Sequence, residues 1–360
     1  MVDVTSAAVE ESVSRRSRGG GGTLGRYILI RALLIIPTVF ILVTTVFVLM
    51  RATGDPITAS LGGRLTPDQL AQRIHQAGYD RPMLVQYLDY LSGIFTGDFG
   101  TTISDNRPVL DVLKTYGTAT LELVCYGLVV AFIVGIPLGL VAGYYRDKVP
   151  DAFLRVFAIL CYATPVFFAG LLFKLVFSVW LGWFPVAGRA STATELQIQF
   201  LPDKSGIYLI DAFRTGTPGA VADVLSHAVL PALTLGLATA GIFLRLVRTN
   251  IIGTLGTDYV DAARSRGVSE TRLVRKHAYR PALIPIITVI GLQIAMLLGG
   301  AVLTETTFEW KGLGFQLVQY IKARDFVAVQ GIVVLLAVIV AITNFIVDIL
   351  AALIDPRVRY

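Results

Sequence analysis

Six apolar stretches punctuate the 360-residue chain, at 27–50, 121–144, 153–184, 228–247, 282–304 and 326–354. Each reaches or exceeds the ~20 apolar residues that carry an α-helix across a bilayer. The pattern therefore predicts an all-α integral membrane protein with six transmembrane helices, the two longest tilted or projecting past the hydrocarbon. Between the first two stretches, Thr66 or Asp68 offers a helix start, and Leu70, Ile74, Leu84, Tyr87, Leu88 and Leu91 recur at helical spacing. These positions predict amphipathic helices lying against a membrane face or the rim of the bundle. The segment 185–226 mixes polar residues with Gly and Pro and carries no regular pattern. Residues 1–26, rich in Ser, Gly and Arg, hold too few apolar side chains to fold alone and read as a disordered tail.

Charge adds sidedness. Arg15, Arg16, Arg18 and Arg26, the turn at 146–148 with Arg155, the segment 258–285 and the tip with Arg357 and Arg359 all fall on one side when loops are counted alternately. The positive-inside rule makes that side, with both termini, cytoplasmic. It places 51–117, in which seven aspartates between Asp55 and Asp111 offset the basic residues, outside the cell. The formal net charge of +6 is thus explained by topology, without nucleic acid.

Composition agrees, with 54% hydrophobic and 16% charged residues, against roughly 45–50% and 25% in soluble domains. Both cysteines, Cys125 and Cys161, lie inside apolar stretches and frame no disulfide or metal site. The chain contains no G-x-x-x-x-G-K-[ST], H-E-x-x-H, G-x-S-x-G or C-x-x-C, and its three histidines are scattered. The expectation is a non-catalytic chain with no cofactor and no metal. Ionisable residues inside spans are costly and draw functional attention. Glu122, near a span end, reads as an interface residue, and Lys174 as snorkelling or paired. Asn344 and Asp348, one turn apart, read as an interhelical contact or as part of a path, and Gln293 and Gln330 add further polar points.

One polar segment stands out. In "DYVDAARSRGVSETRLVRKHAYRPALIP", residues 258–285, Asp258 can cap a short helix with Asp261 in the acidic place of a capping box. Ala262 and Ala263 favour helix with little bulk, and Gly267 suits the left-handed position that ends one. Ser269 can cap a second helix, and Arg280, Pro281 and Pro285 mark a bend into the next span. The first helix is too short to stand alone in water and has to pack against something.

"DAARSRG" resembles the Glu-Ala-Ala…Gly signature of permease subunits of ABC importers, with Asp261 in place of the Glu. The Ile-x-Leu-Pro element expected downstream is replaced by His277, Ala278, Tyr279 and Arg280. "RKHAYRPALIPIITVIGLQ" instead resembles the His-Ala-x-Arg-x-Ala-Leu-Ile-Pro pattern of the dipeptide, oligopeptide and nickel permeases. "RPMLVQYLDYLSGIFTGDFG", "ATPVFFAGLLF", "ETTFEWKGLGFQLVQYIKARDF" and "NFIVDILAALIDPR" agree in order. The likeness runs from about 27 to 357 and is to the B-type member of paired B and C permeases.

The resemblance implies a type I ABC importer transmembrane domain with an extracytoplasmic insert after the first helix. It implies a tail at 1–26, a first transmembrane helix at 27–50, the insert at 51–117, a five-helix domain at 118–354 and a cytoplasmic end at 355–360. A coupling helix at about 258–267 would dock on an ATPase through Tyr259, Asp261, Ala262, Ala263, Arg264, Gly267 and His277. Gln293, Asn344 and Asp348 are path candidates. The implied partners are a C-type permease forming a heterodimer, two ABC ATPase subunits or domains, an extracytoplasmic substrate-binding protein and membrane lipid. The implied setting is a bacterial or archaeal plasma membrane, and the implied cargo short peptides or similar small solutes. A secondary transporter or channel acting without an ATPase is the alternative class; it leaves the capped hairpin without a task.

Overall fold

A computed structural model describes residues 24–52, 54–63 and 65–354. Residues 1–23 and 355–360, which hold most of the expected tail and the C-terminal tip, lie outside the described residues. Among the described residues every regular element is helical, apart from an isolated bridge between Thr101 and Pro108.

Helix α1 (Leu24–Ala52) is followed by α2 (Pro56–Leu61), α3 (Pro67–Gln76) and α4 (Met83–Thr96), then by α5 (Val109–Tyr144). Of the two candidate starts, Thr66 caps α3, in a full capping box with Gln69, and Asp68 lies in the first turn. Helix α4 touches α1 through two tyrosines, with the Tyr87 hydroxyl 2.5 Å from Thr44 Oγ1 and the Tyr90 ring stacked 5.6 Å from Phe47. Next come α6 (Val149–Ala163) and α7 (Val166–Phe173), the latter continuing as a π-helix over Lys174–Trp180. Then follow α8 (Thr192–Gln199), α9 (Tyr208–Arg214) and α10 (Ala220–Leu255). The hairpin helices α11 (Asp258–Ser265) and α12 (Glu270–Arg272) lead through π-helical Leu273–Ala278 into α13 (Tyr279–Phe308). Helices α14 (Leu313–Lys322) and α15 (Phe326–Ile354) close the chain.

Five helices, α1, α5, α10, α13 and α15, are individually long and apolar enough to cross a membrane; α6 and α7 make a sixth if the pair is one span. That pair occupies the apolar stretch at 153–184. Its two halves meet at 104°, because Pro165 holds Thr164 extended at φ −75°, ψ 126° and offers no N–H to continue the ladder. Helices α5 and α10 have 36 residues each, ~54 Å at 1.5 Å per residue, so they project well beyond the ~30 Å hydrocarbon.

The bundle centres on α5 against α10, and glycine makes their approach possible. A Cβ on Gly139 would sit 2.6 Å from Val247 Cβ, and one on Gly236 would sit 2.4 Å from the Gly127 carbonyl oxygen. Small residues at such crossings let backbones pack where lipid supplies no hydrophobic drive between helices. Around this seam, Ala131, Phe243, Val247 and Ile251 join Val274, Ala278, Ala282 and Ile286, so the stretch leading into α13 packs on both long helices.

Candidate functional site

Two polar assemblies sit at opposite ends of this bundle. The first is the hairpin α11–α12. Thr257, not Asp258, occupies the N-cap and makes no side-chain cap bond; Asp258 is the first helical residue. Asp261 correspondingly closes no capping box. It pairs with Arg264, whose Nε donates to Glu270 Oε1 at 2.6 Å. That bond raises the Arg264 guanidinium above its already high range. The ion pairs thus tie the end of α11 to the start of α12.

Gly267 does what its position suggests. At φ +80° it turns the chain left-handed. Its N–H donates to the Arg264 carbonyl (2.9 Å) and the Val268 N–H to the Ala263 carbonyl (3.3 Å), a Schellman closure. Ser269 then occupies the N-cap of α12 without a side-chain bond. Pro281 and Pro285, expected to mark a bend into the span, both lie inside α13. A π-helical stretch carries the chain from α12 into the span without interruption.

The two alanines part company. Ala263 is buried with Val260 and Leu273, against Leu255 and Val268. It fastens α11 to the second arm and is not on the surface with its neighbour. Ala262 is exposed, as are Tyr259, Asp261, Arg264 and Gly267. The side chain of His277 lies outside the described residues. Beneath the hairpin, the Tyr144 hydroxyl lies 3.2 Å from Thr271 Oγ1, and Asn250 Nδ2 donates to the Ala282 carbonyl at 3.2 Å. Arg248 forks onto Asp151 at 2.5 and 2.8 Å, holding bent α6 against α10.

The second assembly, at the far end, was largely missed by sequence reasoning. Glu122, expected at an interface near a span end, has its side chain buried within the bundle. It is 4% exposed, pairs with buried Arg189, and accepts N–H bonds from Tyr208 (3.2 Å) and Leu209 (3.0 Å). The Arg189 guanidinium lies 3.6 Å from the Tyr208 ring centroid. Glu305, fully buried, accepts from Thr120 Oγ1 (2.6 Å) and the Phe315 N–H (2.9 Å), while Trp310 Nε1 donates to the Ala119 carbonyl (2.9 Å). Asp325 accepts from the Ile103 and Ser104 N–H groups (2.7 and 2.8 Å) and, at 3.2 Å, from the Ala328 N–H in the first turn of α15. The one signal available in the sequence was an acid at or near a span end; the partners lie 3 to 222 residues away.

The path candidates occupy two places. Asn344 and Asp348 line a 150 Å³ notch with Arg31 and Thr38 between α1 and α15, where Asp348 pairs with Arg31 at 3.4 Å. Gln293 is 5% exposed, is not part of that notch, and its Oε1 has no hydrogen-bond partner among the described residues. Lys174 Nζ donates to the Thr307 carbonyl at 3.0 Å, so it is paired. Among the described residues no group of His, Cys, Asp and Glu side chains could hold a metal ion.

Residues 135–360 match the family model described as binding-protein-dependent transport system inner membrane component, and residues 24–122 match the model for the N-terminal part of such components. The chain is 37% identical over 329 residues to the di/tripeptide transport system permease protein of Pseudomonas aeruginosa (strain UCBPP-PA14), covering 91% of this chain and 96% of that protein. It is 37% identical over 342 residues to the dipeptide transport system permease protein of Escherichia coli (strain K12), covering 93% and 99%. It is 34% identical over 335 residues to the glutathione transport system permease protein of Salmonella typhimurium (strain LT2), covering 93% and 99%.

Proposed function

The chain belongs to the family of binding-protein-dependent transport system inner membrane components, and on that premise we propose that it imports short peptides, with hairpin α11–α12 as the lever through which a partner ATPase moves the spans. It is a permease subunit of an ABC importer and a multi-pass membrane protein; hydrolysis belongs to the ATPase. The peptide cargo is supported by the relatives named for dipeptides, di/tripeptides and glutathione, all built of two or three residues. The partners we infer are a C-type permease completing a heterodimer, two ATPase subunits or domains and an extracytoplasmic binding protein. The hairpin side is read as cytoplasmic because the basic loops gather there.

The lever reading is carried by one observation: the second hairpin arm runs without a break into α13 and packs on α5 and α10. A force on α11 therefore reaches the bundle through covalent helix and packed side chains, not through a slack loop. The docking face comprises Tyr259, Asp261, Ala262, Arg264 and Gly267, with His277 following on the second arm, while Ala263 supports it from beneath. To swing a two-state bundle from 1:99 to 99:1, the partner must favour one state by roughly 5.5 kcal/mol. This chain contributes the states, and the ATPase contributes the bias.

The test is gentle purification from native membranes of a chain carrying Ala262→Cys, with thiol cross-linking and mass spectrometry. The expected result is a second permease in the complex and a P-loop ATPase cross-linked at position 262. A chain that purifies alone and monodisperse would sink the reading and favour a transporter acting without an ATPase. Recovery of the ATPase with cross-links elsewhere would retain the importer and move the docking face.

A further inference from the structure

Helical spacing alone treats α3 and α4 alike; depth in the membrane separates them. The span Gly25–Ala52 has 28 residues, ~42 Å at 1.5 Å per residue. Centred on a hydrocarbon core of ~30 Å, it extends ~6 Å past each boundary, so the boundary away from the hairpin falls near Val48. Thr44 lies four residues below that level, ~6 Å along the axis. Tyr87 of α4 reaches down to it, with its hydroxyl 2.5 Å from Thr44 Oγ1 and its ring centroid 5.1 Å from that of Phe47 and 6.5 Å from that of Phe40. Nearer the end of α1, the Arg51 guanidinium lies 4.4 Å from the Tyr79 ring centroid. Gln86 Nε2 donates to the Tyr79 and Arg81 carbonyls at 2.9 and 2.8 Å, fixing the start of α4 to that turn. Just past α4, Phe99 packs with Met50 beside Val109 and Val329, so the other end of the helix is tied near the same level. Helix α4 is thus held where hydrocarbon meets water, the level at which Tyr rings gather.

At 3.6 residues per turn the helix has three faces. Tyr87, Tyr90 and Ile94 share the face that meets α1. Val85, Asp89, Ser92 and Thr96 share another, where Asp89 pairs with Arg81 at 3.4 Å and both side chains are more than half exposed. Between these two faces, within an arc of ~60°, run Leu84, Leu88, Leu91 and Phe95. Leu84 is 69% exposed, Leu88 57% and Phe95 88%. Apolar residues exposed singly are ordinary, but a contiguous row of them marks an interaction surface. Helix α3 has no such row. Its large apolar residues, Leu70 and Ile74, are half-buried, and Asp68, Arg73 and His75 are exposed.

We propose that the row formed by Leu84, Leu88, Leu91 and Phe95 is seated in the acyl chains of the leaflet away from the hairpin. Helix α4 then has one face on α1, one in lipid and one in water. An interfacial helix buries its apolar face ~5–10 Å into the boundary between headgroups and acyl chains, which agrees with the depth of the Tyr87 hydroxyl. The row also continues the lipid-facing surface of α1, where Ile41, Val48 and Leu49 are exposed. A protein approaching from water meets the Asp89 face and not the row. By this seat α4 moors the segment that follows the first span to the membrane plane. The inference rests on α1 crossing the bilayer; neither the cargo nor the ATPase enters it.

The test uses the full chain with Cys125→Ala and Cys161→Ala in lipid nanodiscs, spin-labelled at Leu88→Cys, Phe95→Cys or Ser92→Cys. Power-saturation EPR reads collisions with oxygen, which concentrates in hydrocarbon, and with a nickel chelate confined to water. The expected result is that oxygen dominates at 88 and 95 and the nickel chelate at 92, a reversal between positions four residues apart. Nickel access at 88 and 95 equal to that at 92 would place the row in water and overturn the proposal. Labels at 88 and 95 shielded from both reagents would place the row against protein, such as a second copy, and overturn it as well. Should the cysteine-free background fold poorly, Phe95→Trp in the otherwise unmodified chain decides the matter. Its added fluorescence is quenched by phosphatidylcholine brominated on the acyl chains, and an unquenched signal defeats the assignment. Neither readout requires transport, so failure here leaves the importer reading standing, and failure of peptide import leaves this seat standing.

Discussion

The hairpin and the far-end network are both polar, yet they are built on opposite principles. In the hairpin, bonds run between residues three to six apart, and its ion pairs from Arg264 to Asp261 and Glu270 are exposed. At the far end, Glu122 meets Arg189, Glu305 meets Thr120 and Asp325 meets Ser104, all across long stretches of chain and in buried surroundings. Exposed pairs contribute little to stability because water and salt screen them. A buried pair that loses one member leaves an uncompensated charge, which is strongly destabilising. The contrast assigns the two ends different duties: the far end holds the bundle together, and the hairpin is free to be handled.

The comparison breaks most sharply at Arg189. Arg189→Met leaves the Glu122 carboxylate buried with only N–H and hydroxyl donors, at an expected cost of about 3–5 kcal/mol. Thermal unfolding of the detergent-solubilised chain should show a large fall in Tm, with part of it recovered by adding Glu122→Leu. A Tm unchanged in the single variant would mean that the far end is no anchor.

A smaller effect is expected at Gly267. Nothing lies within 4 Å of a Cβ built there, so a side chain meets no clash and only the φ of +80° resists it. Gly267→Val should cost roughly 1–2 kcal/mol of backbone strain, leave membrane insertion and the far-end network intact, and reduce ATP-driven uptake in reconstituted vesicles. Uptake at the level of the unmodified chain would detach the glycine turn from the lever.

The smallest change in stability is expected at Arg264. Arg264→Ala removes two exposed ion pairs, and the melting temperature should stay within error of the parent at both low and high salt. If ATPase recovery in the purified complex falls even so, the residue serves docking; if Tm drops instead, the hairpin shares the structural duty assigned to the far end.

The same division explains how much of the molecule can be read from its sequence. Apolar runs of sufficient length announce spans whatever they pack against, and five single helices plus the bent pair fall where those runs lie. Gly267 and the Thr66–Gln69 capping box are likewise legible, since each depends on neighbours a few residues away. Ala262 and Ala263 show the limit within the hairpin itself. Both are good helix formers, but which faces outward depends on where Leu273 returns to pack. Glu305 carries no local signal of its role, because its partner Thr120 lies 185 residues away.

Local chemistry, then, decides that this chain is helical, membrane-spanning and furnished with a closed basic hairpin, for those properties follow from side-chain hydropathy and from bonds within a turn or two of helix. Tertiary packing alone decides the glycine-mediated approach of α5 and α10 and the pairing of buried acids. Those features arise where distant segments desolvate one another, and a buried charge or donor acquires its meaning only from the group that comes to meet it.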